Sequence, residues 1–176
     1  MRQLVFATLL VAIVVNTVFA IDLPPSPPNF AWQEIPELKA AFLRPTGWFF
    51  KREEAKGTLA YFITKEDIGK GGEFQTGLTI NVFHLKKDSA VERGRDMIGL
   101  IASKQHGEKW ERDYGPFKEF GCLYKDTDSV VHNLTVANPK TNTLYLFIFE
   151  SPVSEWDNAW KLGKQIMDDL AIDDEI

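Results

Sequence analysis

Two strand-like runs joined through a short polar connection constrain this chain more than any other feature. Residues 129–138 (SVVHNLTVAN) and 143–152 (TLYLFIFESP) are rich in β-branched and aromatic side chains, and Asn138, Pro139, Lys140, Thr141 and Asn142 connect them. Such a pattern reads as a hairpin. A hairpin pairs its strands antiparallel, because parallel neighbours need a crossover of about a dozen residues or more.

The stretch upstream extends the β reading. AFLRPTGWFFKRE suggests two short strands around a turn at Pro45, Thr46 and Gly47, and TLAYFITKE continues with β-branched and aromatic residues. In GLTINVFHL, Leu78, Ile80 and Val82 alternate with Thr79, Asn81 and Phe83. A period of two places the first set on a buried face and the second on a face that is only partly covered. KWERDYGPF and EFGCLYKDTD read as further strands.

Two segments have helical periodicity. Ser89 and Glu92 make an S-x-x-E capping box, after which Ala90, Gly94, Met97, Ile98 and Ile101 form one apolar stripe. Gly94 lowers helix propensity by about 1 kcal/mol relative to alanine, which is understandable where the helix backbone approaches a sheet closely. A final helix is expected to be capped by Ser154, with Asp157 three residues on, and to bury Trp156, Trp160, Gly163, Met167 and Leu170. The two tryptophans read as core residues or, alternatively, as a ligand-stacking platform.

The amino terminus carries an address. Arg2 precedes an apolar run from Leu4 to Val15, and Val18 and Ala20 place small side chains before a peptidase cut between Ala20 and Ile21. This is the pattern of a secretory signal peptide (residues 1–20). Its apolar run is shorter than the roughly 20 residues of a spanning helix, so cleavage is expected over retention as an anchor, and the protein is expected to be periplasmic or secreted. Residue 21 is isoleucine, which closes the lipoprotein route. Residues 21–29 hold Pro24, Pro25, Pro27 and Pro28. Prolines fix φ and remove donors, so an extended, spacer-like leader is expected before a domain that starts near Phe30 and runs to residue 176.

Without residues 1–20 the chain carries 19 basic and 25 acidic residues, a net charge of −6 with no basic cluster. Nucleic acid is therefore not an expected partner, since polyanion binding needs a cationic face. A domain of about 150 residues buries enough surface to hold together without covalent staples. Cys122 stands alone, so no internal disulfide can form. It reads as a small buried apolar side chain, with a nucleophile or an intermolecular bridge as the functional alternatives.

The catalytic inventory is poor. His84, His106 and His132 are scattered, and no G-x-S-x-G elbow or cysteine-centred signature accompanies them. His84 and His132 would form a site only if the sheet brought them together. Residues 69–74 (GKGGEF) lack phosphate-loop spacing and run into a strand, so a hairpin loop is expected. Asp168, Asp169, Asp173 and Asp174 read as a solvated helix end rather than a metal site. Asn133, Leu134 and Thr135 match a glycosylation acceptor within an expected strand. No catalytic, cofactor-binding or metal-ligating residue is assigned.

The turn FLRPTGW with its P-x-G-W core, the strand GLTINVFHL before a capped helix, and the ending TLYLFIFESPVSEWDNAWKLGKQIMDDL together resemble the PsbP-like fold group, including bacterial periplasmic PsbP/DcrB-like proteins. The resemblance spans residues 30–172. It implies an α+β fold in which a central antiparallel β-sheet is flanked by helices on both faces, an α/β/α sandwich, and a non-enzymatic role in binding or assembly. The chain departs from cyanobacterial members in lacking their lipid-anchor cysteine. The resulting expectation is an exported accessory protein that binds another protein, without cofactor and without a stable membrane anchor after cleavage. A periplasmic small-molecule or metal binder, or an enzyme, is the alternative.

Overall fold

The computed structural model describes residues 23–55, 58–68 and 73–173. The expected signal segment and its expected Ala20–Ile21 cut, most of the glycine-containing stretch at 69–74 and the acidic residues Asp174 and Glu175 lie outside the described residues.

In chain order the elements are β1 (Phe30–Ile35), a single 3-10 turn (Pro36–Leu38), β2 (Ala40–Pro45), β3 (Phe49–Ala55), β4 (Thr58–Thr64), β5 (Gly77–His84) and α1 (Ala90–Gln105). They continue with β6 (Glu108–Tyr114), β7 (Phe117–Lys125), β8 (Ser129–Asn138), β9 (Thr143–Pro152), α2 (Trp156–Asp168) and β10 (Ala171–Ile172). Seven strands form one antiparallel sheet in the order β3-β4-β5-β9-β8-β7-β6. The expected hairpin is its centre: β8 and β9 pair from Ser129↔Pro152 to Asn138↔Thr143.

A second, three-stranded sheet, β1-β2-β10, is a feature the sequence did not announce. The two strands expected around Pro45, Thr46 and Gly47 exist, but they belong to different sheets. Gly47 adopts φ +84°, a left-handed geometry that glycine takes without steric cost. The Trp48 N–H donates to the Pro45 carbonyl at 3.0 Å and closes the turn. Trp48 then enters the main core, so the P-x-G-W motif is the corner where the chain passes from one sheet to the other.

Alternation sorts the core. Leu78, Ile80 and Val82 of β5 stand opposite Phe149, Phe147 and Tyr145 of β9, and all six are buried. On this side the Phe42 ring of β2 meets Phe147 edge-on at 6.0 Å, and Ile166 and Met167 of α2 complete the cluster. Residues of the other parity, Leu144 on β9, Ala137 on β8, and Phe120 and Cys122 on β7, pack with α1 through Ala90, Ile98 and Ala102. The Ser89 oxygen accepts from the Glu92 N–H at 3.3 Å, as the capping box requires. A Cβ on Gly94 would lie 3.0 Å from Thr135 Oγ1 and 3.1 Å from Leu144 Cδ1, which accounts for the glycine. Met97 and Ile101 flank the buried stripe rather than forming its centre, which passes through Ala102.

The last helix begins one residue later than its sequence suggests. Glu155 occupies the cap position without a side-chain hydrogen bond, so Ser154 does not cap it. Its buried stripe is Ala159, Gly163, Ile166 and Met167, while Trp156 and Trp160 sit half-buried at its margin. The proline-rich residues just before Phe30 lie against the domain, where the Trp32 indole N–H donates to the Pro24 carbonyl at 2.7 Å.

Candidate aromatic–histidine site

The most elaborate side-chain constellation arises where β6, β7 and β8 meet α2. The even-numbered residues of β8, His132, Leu134 and Val136, share the side of Phe149 and Phe147. His132 is 8% exposed, and the Trp160 ring from α2 packs on it with centroids 4.6 Å apart. One turn earlier on α2, Trp156 stacks on Trp160 at 5.1 Å with planes 9° apart. Phe149 supports both rings at 6.0 Å and 5.6 Å.

The edge strand β6 closes the other flank. Trp110 stands opposite Gly121 of β7, and a Cβ on Gly121 would come 2.1 Å from the indole, so the ring lies flat where only glycine leaves room. Its centroid is 6.1 Å from that of His132. The Arg112 guanidinium lies 5.1 Å over the Trp110 ring, a favourable placement of a cation on an aromatic face. The same guanidinium pairs through Nε with the carboxylate of Glu119, which is 1% exposed. Trp110, His132, Trp160 and Trp156 thus form a continuous row, and the first three line a cavity of about 150 Å³ together with Arg112, Leu134, Lys164, Met167 and Asp168.

The electrostatics of the row centre on His132. Burial, reinforced by the positive charge of Arg112, lowers the pKa of His132 to about 4, against weaker support from its own backbone and Asp168. The imidazole is therefore neutral at pH 7. Its Nδ1 is buried and has no hydrogen-bond partner among the described residues. Each cation at the cavity has a carboxylate beside it, Glu119 for Arg112 and Asp168 for Lys164. Flat apolar walls, a neutral ring and one flanking guanidinium can stack a planar or apolar group.

The other sequence-level candidates do not join this row. His84 lies at the far end of β5, opposite Thr143, with its Nδ1 3.1 Å from the Thr143 hydroxyl. His132 is opposite Phe149, six residues along β9, or about 20 Å at the rise of a strand. The two histidines therefore do not converge. His106 ends α1 in a left-handed conformation, its backbone N–H donating to Ala102. Cys122 is fully buried under α1, and burial raises its thiol pKa. Asn133 is only 4% exposed, so the glycosylation tripeptide is folded into β8 with its acceptor inaccessible. Among the described residues no group of three or more His, Cys, Asp or Glu side chains is placed to hold a metal ion, and no helix is long and apolar enough to cross a membrane. Sequence reasoning missed Trp110 and Arg112, because a strand exposed on both faces has no alternation to mark it. The one available signal was a tryptophan amid five charged residues in EKWERDY.

No family model and no curated protein matches the chain. Solved structures do. The solution structure of cyanobacterial PsbP (CyanoP) from Synechocystis sp. PCC 6803 matches with a TM-score of 0.55 at 12% identity, covering 88% of this chain and 99% of that one. The crystal structure of the Saccharomyces cerevisiae Ran-binding protein Mog1p matches with a TM-score of 0.51 at 9% identity, covering 82% and 95%. At such identities likeness extends to architecture alone. Two sheets with two helices, matched over most of the length of both neighbours, give this chain the PsbP-like fold.

Proposed function

We propose that this chain is an exported, non-enzymatic accessory protein that binds another protein through its PsbP-like domain. The signal segment is removed between Ala20 and Ile21, leaving a periplasmic or secreted protein without a membrane anchor and without affinity for nucleic acid. The layering behind this reading is an α/β/α sandwich, with α1 on one face of the large sheet and α2 with the small sheet on the other.

The half-buried row Trp110, Trp160 and Trp156, flanked by Arg112, carries the proposal. Tryptophan and arginine dominate the residues that hold protein interfaces together. Three indoles packed against the core yet left partly in water are what such an interface uses. The Ran-binding description of the yeast neighbour supports a protein as ligand for this architecture. Site-specific photo-crosslinking tests the idea. A photoreactive residue at position 156 should give one discrete adduct in the compartment where the protein accumulates, and the same residue at exposed Lys140 should not. Equal labelling from both positions, or none from position 156, contradicts it.

A second reading rests on the cavity and the buried, unpartnered His132 Nδ1: a small-molecule site between Trp110 and Trp160. Ligand-induced shifts of the His132 ring resonances in native protein would favour it over a protein partner.

A further inference from the structure

One end of the large sheet is open. β6 is the terminal strand, paired with β7 over seven residues from Glu108↔Leu123 to Tyr114↔Phe117 without interruption. Six of its seven residues are exposed, and only Trp110 is half-buried. It contains no proline and no bulge, so of the devices that guard an edge it carries only charge, on Glu108, Lys109, Glu111, Arg112 and Asp113.

The charges on this strand have an order of their own. Around Trp110 the sequence reads Glu108, Lys109, Trp110, Glu111, Arg112. An antiparallel second copy centred on Trp110 opposes Glu108 to Arg112 and Lys109 to Glu111, each twice, and every charged pair has opposite sign. A two-fold axis perpendicular to a continuous sheet keeps each side chain on its own face. Because side chains alternate with a period of two, such an axis must pass through a residue opposed to itself. Centring on Lys109, Glu111 or Arg112 puts a like-charged pair on the axis. Trp110 is the centre that avoids it among these neighbours, and it places two indoles there instead.

The opposite edge, β3, does not offer this. Centring on Arg52 or Glu53 opposes like charges at the axis, and its ions are engaged within the chain, Lys51 with Glu53 at 2.5 Å and Arg52 with Glu37 at 3.0 Å. On β6, Glu108 and Lys109 have no ion-pair partner among the described residues, while Arg112 is paired with Glu119 and Asp113 with Lys118. Glu111 is held by Arg95 at 2.9 Å and remains exposed.

We propose that β6 is a self-pairing edge, at which two copies of this chain join β6 to β6 antiparallel about Trp110 and extend the seven-stranded sheet across a two-fold axis. Opposed charges in an antiparallel ladder stabilise it and like charges oppose it. Single-strand pairing buries little area, so the dimer belongs to the weak class of interfaces and is salt-sensitive, since its ion pairs are exposed.

The test is a pair of charge reversals. Sedimentation velocity of the native protein should show a concentration-dependent dimer that added salt weakens. Lys109→Glu and Glu111→Lys should each weaken self-association by about tenfold or more, because each sets like charges face to face. Mixed in equal amounts, the two variants should recover the dimer, since every pair between them is again opposite in sign. Far-UV circular dichroism of each variant checks that the fold is retained. A native protein that stays monomeric at every concentration, variants that still dimerise alone, or a mixture that fails to recover overturns the proposal.

Discussion

The backbone of Gly163 lies directly against the Phe149 ring: a Cβ at position 163 would come within 2.6 Å of Phe149 Cε2 and Cζ. This contact lets α2 sit close enough to β9 for Trp156 and Trp160 to reach the same ring. Gly163→Ala should destabilise the protein, because overpacking of about 1–3 kcal/mol outweighs the roughly 1 kcal/mol of helix propensity that alanine adds. Gly99 of α1 is the control. Nothing lies within 4 Å of its missing Cβ, so Gly99→Ala should stabilise by roughly 0.5–1 kcal/mol. Urea denaturation of both variants reads the two signs.

His132 should make the fold acid-sensitive. Its folded pKa, about 4, is below the ordinary histidine value, so the unfolded chain takes up a proton that the folded chain resists. The stability this provides is complete above about pH 6.5 and is lost as pH falls from there towards about 4, by up to roughly 3 kcal/mol. Glu150 acts in the opposite sense, since burial raises its pKa, and it is common to wild type and variant. His132→Phe should therefore flatten the difference in unfolding free energy between pH 7.5 and pH 4.5. An unchanged pH dependence would show that the ring is not held neutral.

Cys122 should report unfolding rather than chemistry. Its side chain is fully buried and its thiol pKa is raised by burial, so a thiol reagent should modify it no faster than the protein opens. Labelling measured along a urea titration should follow the loss of secondary structure. Rapid modification of native protein would contradict this placement.

Glu119 depends on Arg112. It is 1% exposed, and the Arg112 guanidinium is its ion-pair partner. Arg112→Ala should cost about 1–3 kcal/mol, because a buried carboxylate loses its counter-charge, and Glu119→Gln should cost less. Thermal unfolding of the two variants compares them directly.

What could be read before the structure was the local part. The serine cap of the helix at Ser89, the alternation of residues 78–83 and the hairpin of residues 129–152 depend on neighbours in sequence, and they stand as read. The second sheet is mainly the local pairing of β1 with β2, which the Pro-bearing approach to Phe30 masked, and its third strand depends on Ala171 meeting Ala41 and Ile172 meeting Ala40, a two-residue pairing across most of the chain that no periodicity can mark. The Ser154 cap failed because the chain enters α2 through a turn closed by the Glu155 N–H on Pro152. The aromatic row was legible only as separate parts. Trp156 and Trp160 stood out at helical spacing, but Trp110 and His132 join them through the β6–β7–β8 register.

The claim that this row binds a protein is tested most directly by Trp156→Ala/Trp160→Ala, with partner recovery and unfolding free energy measured on the same preparations. If the row is an interface, the variant remains folded and loses at least about nine-tenths of the partner that wild type recovers, as expected when hot-spot residues are removed. If the variant retains the partner at wild-type yield, the row is part of the core and the account of function is wrong.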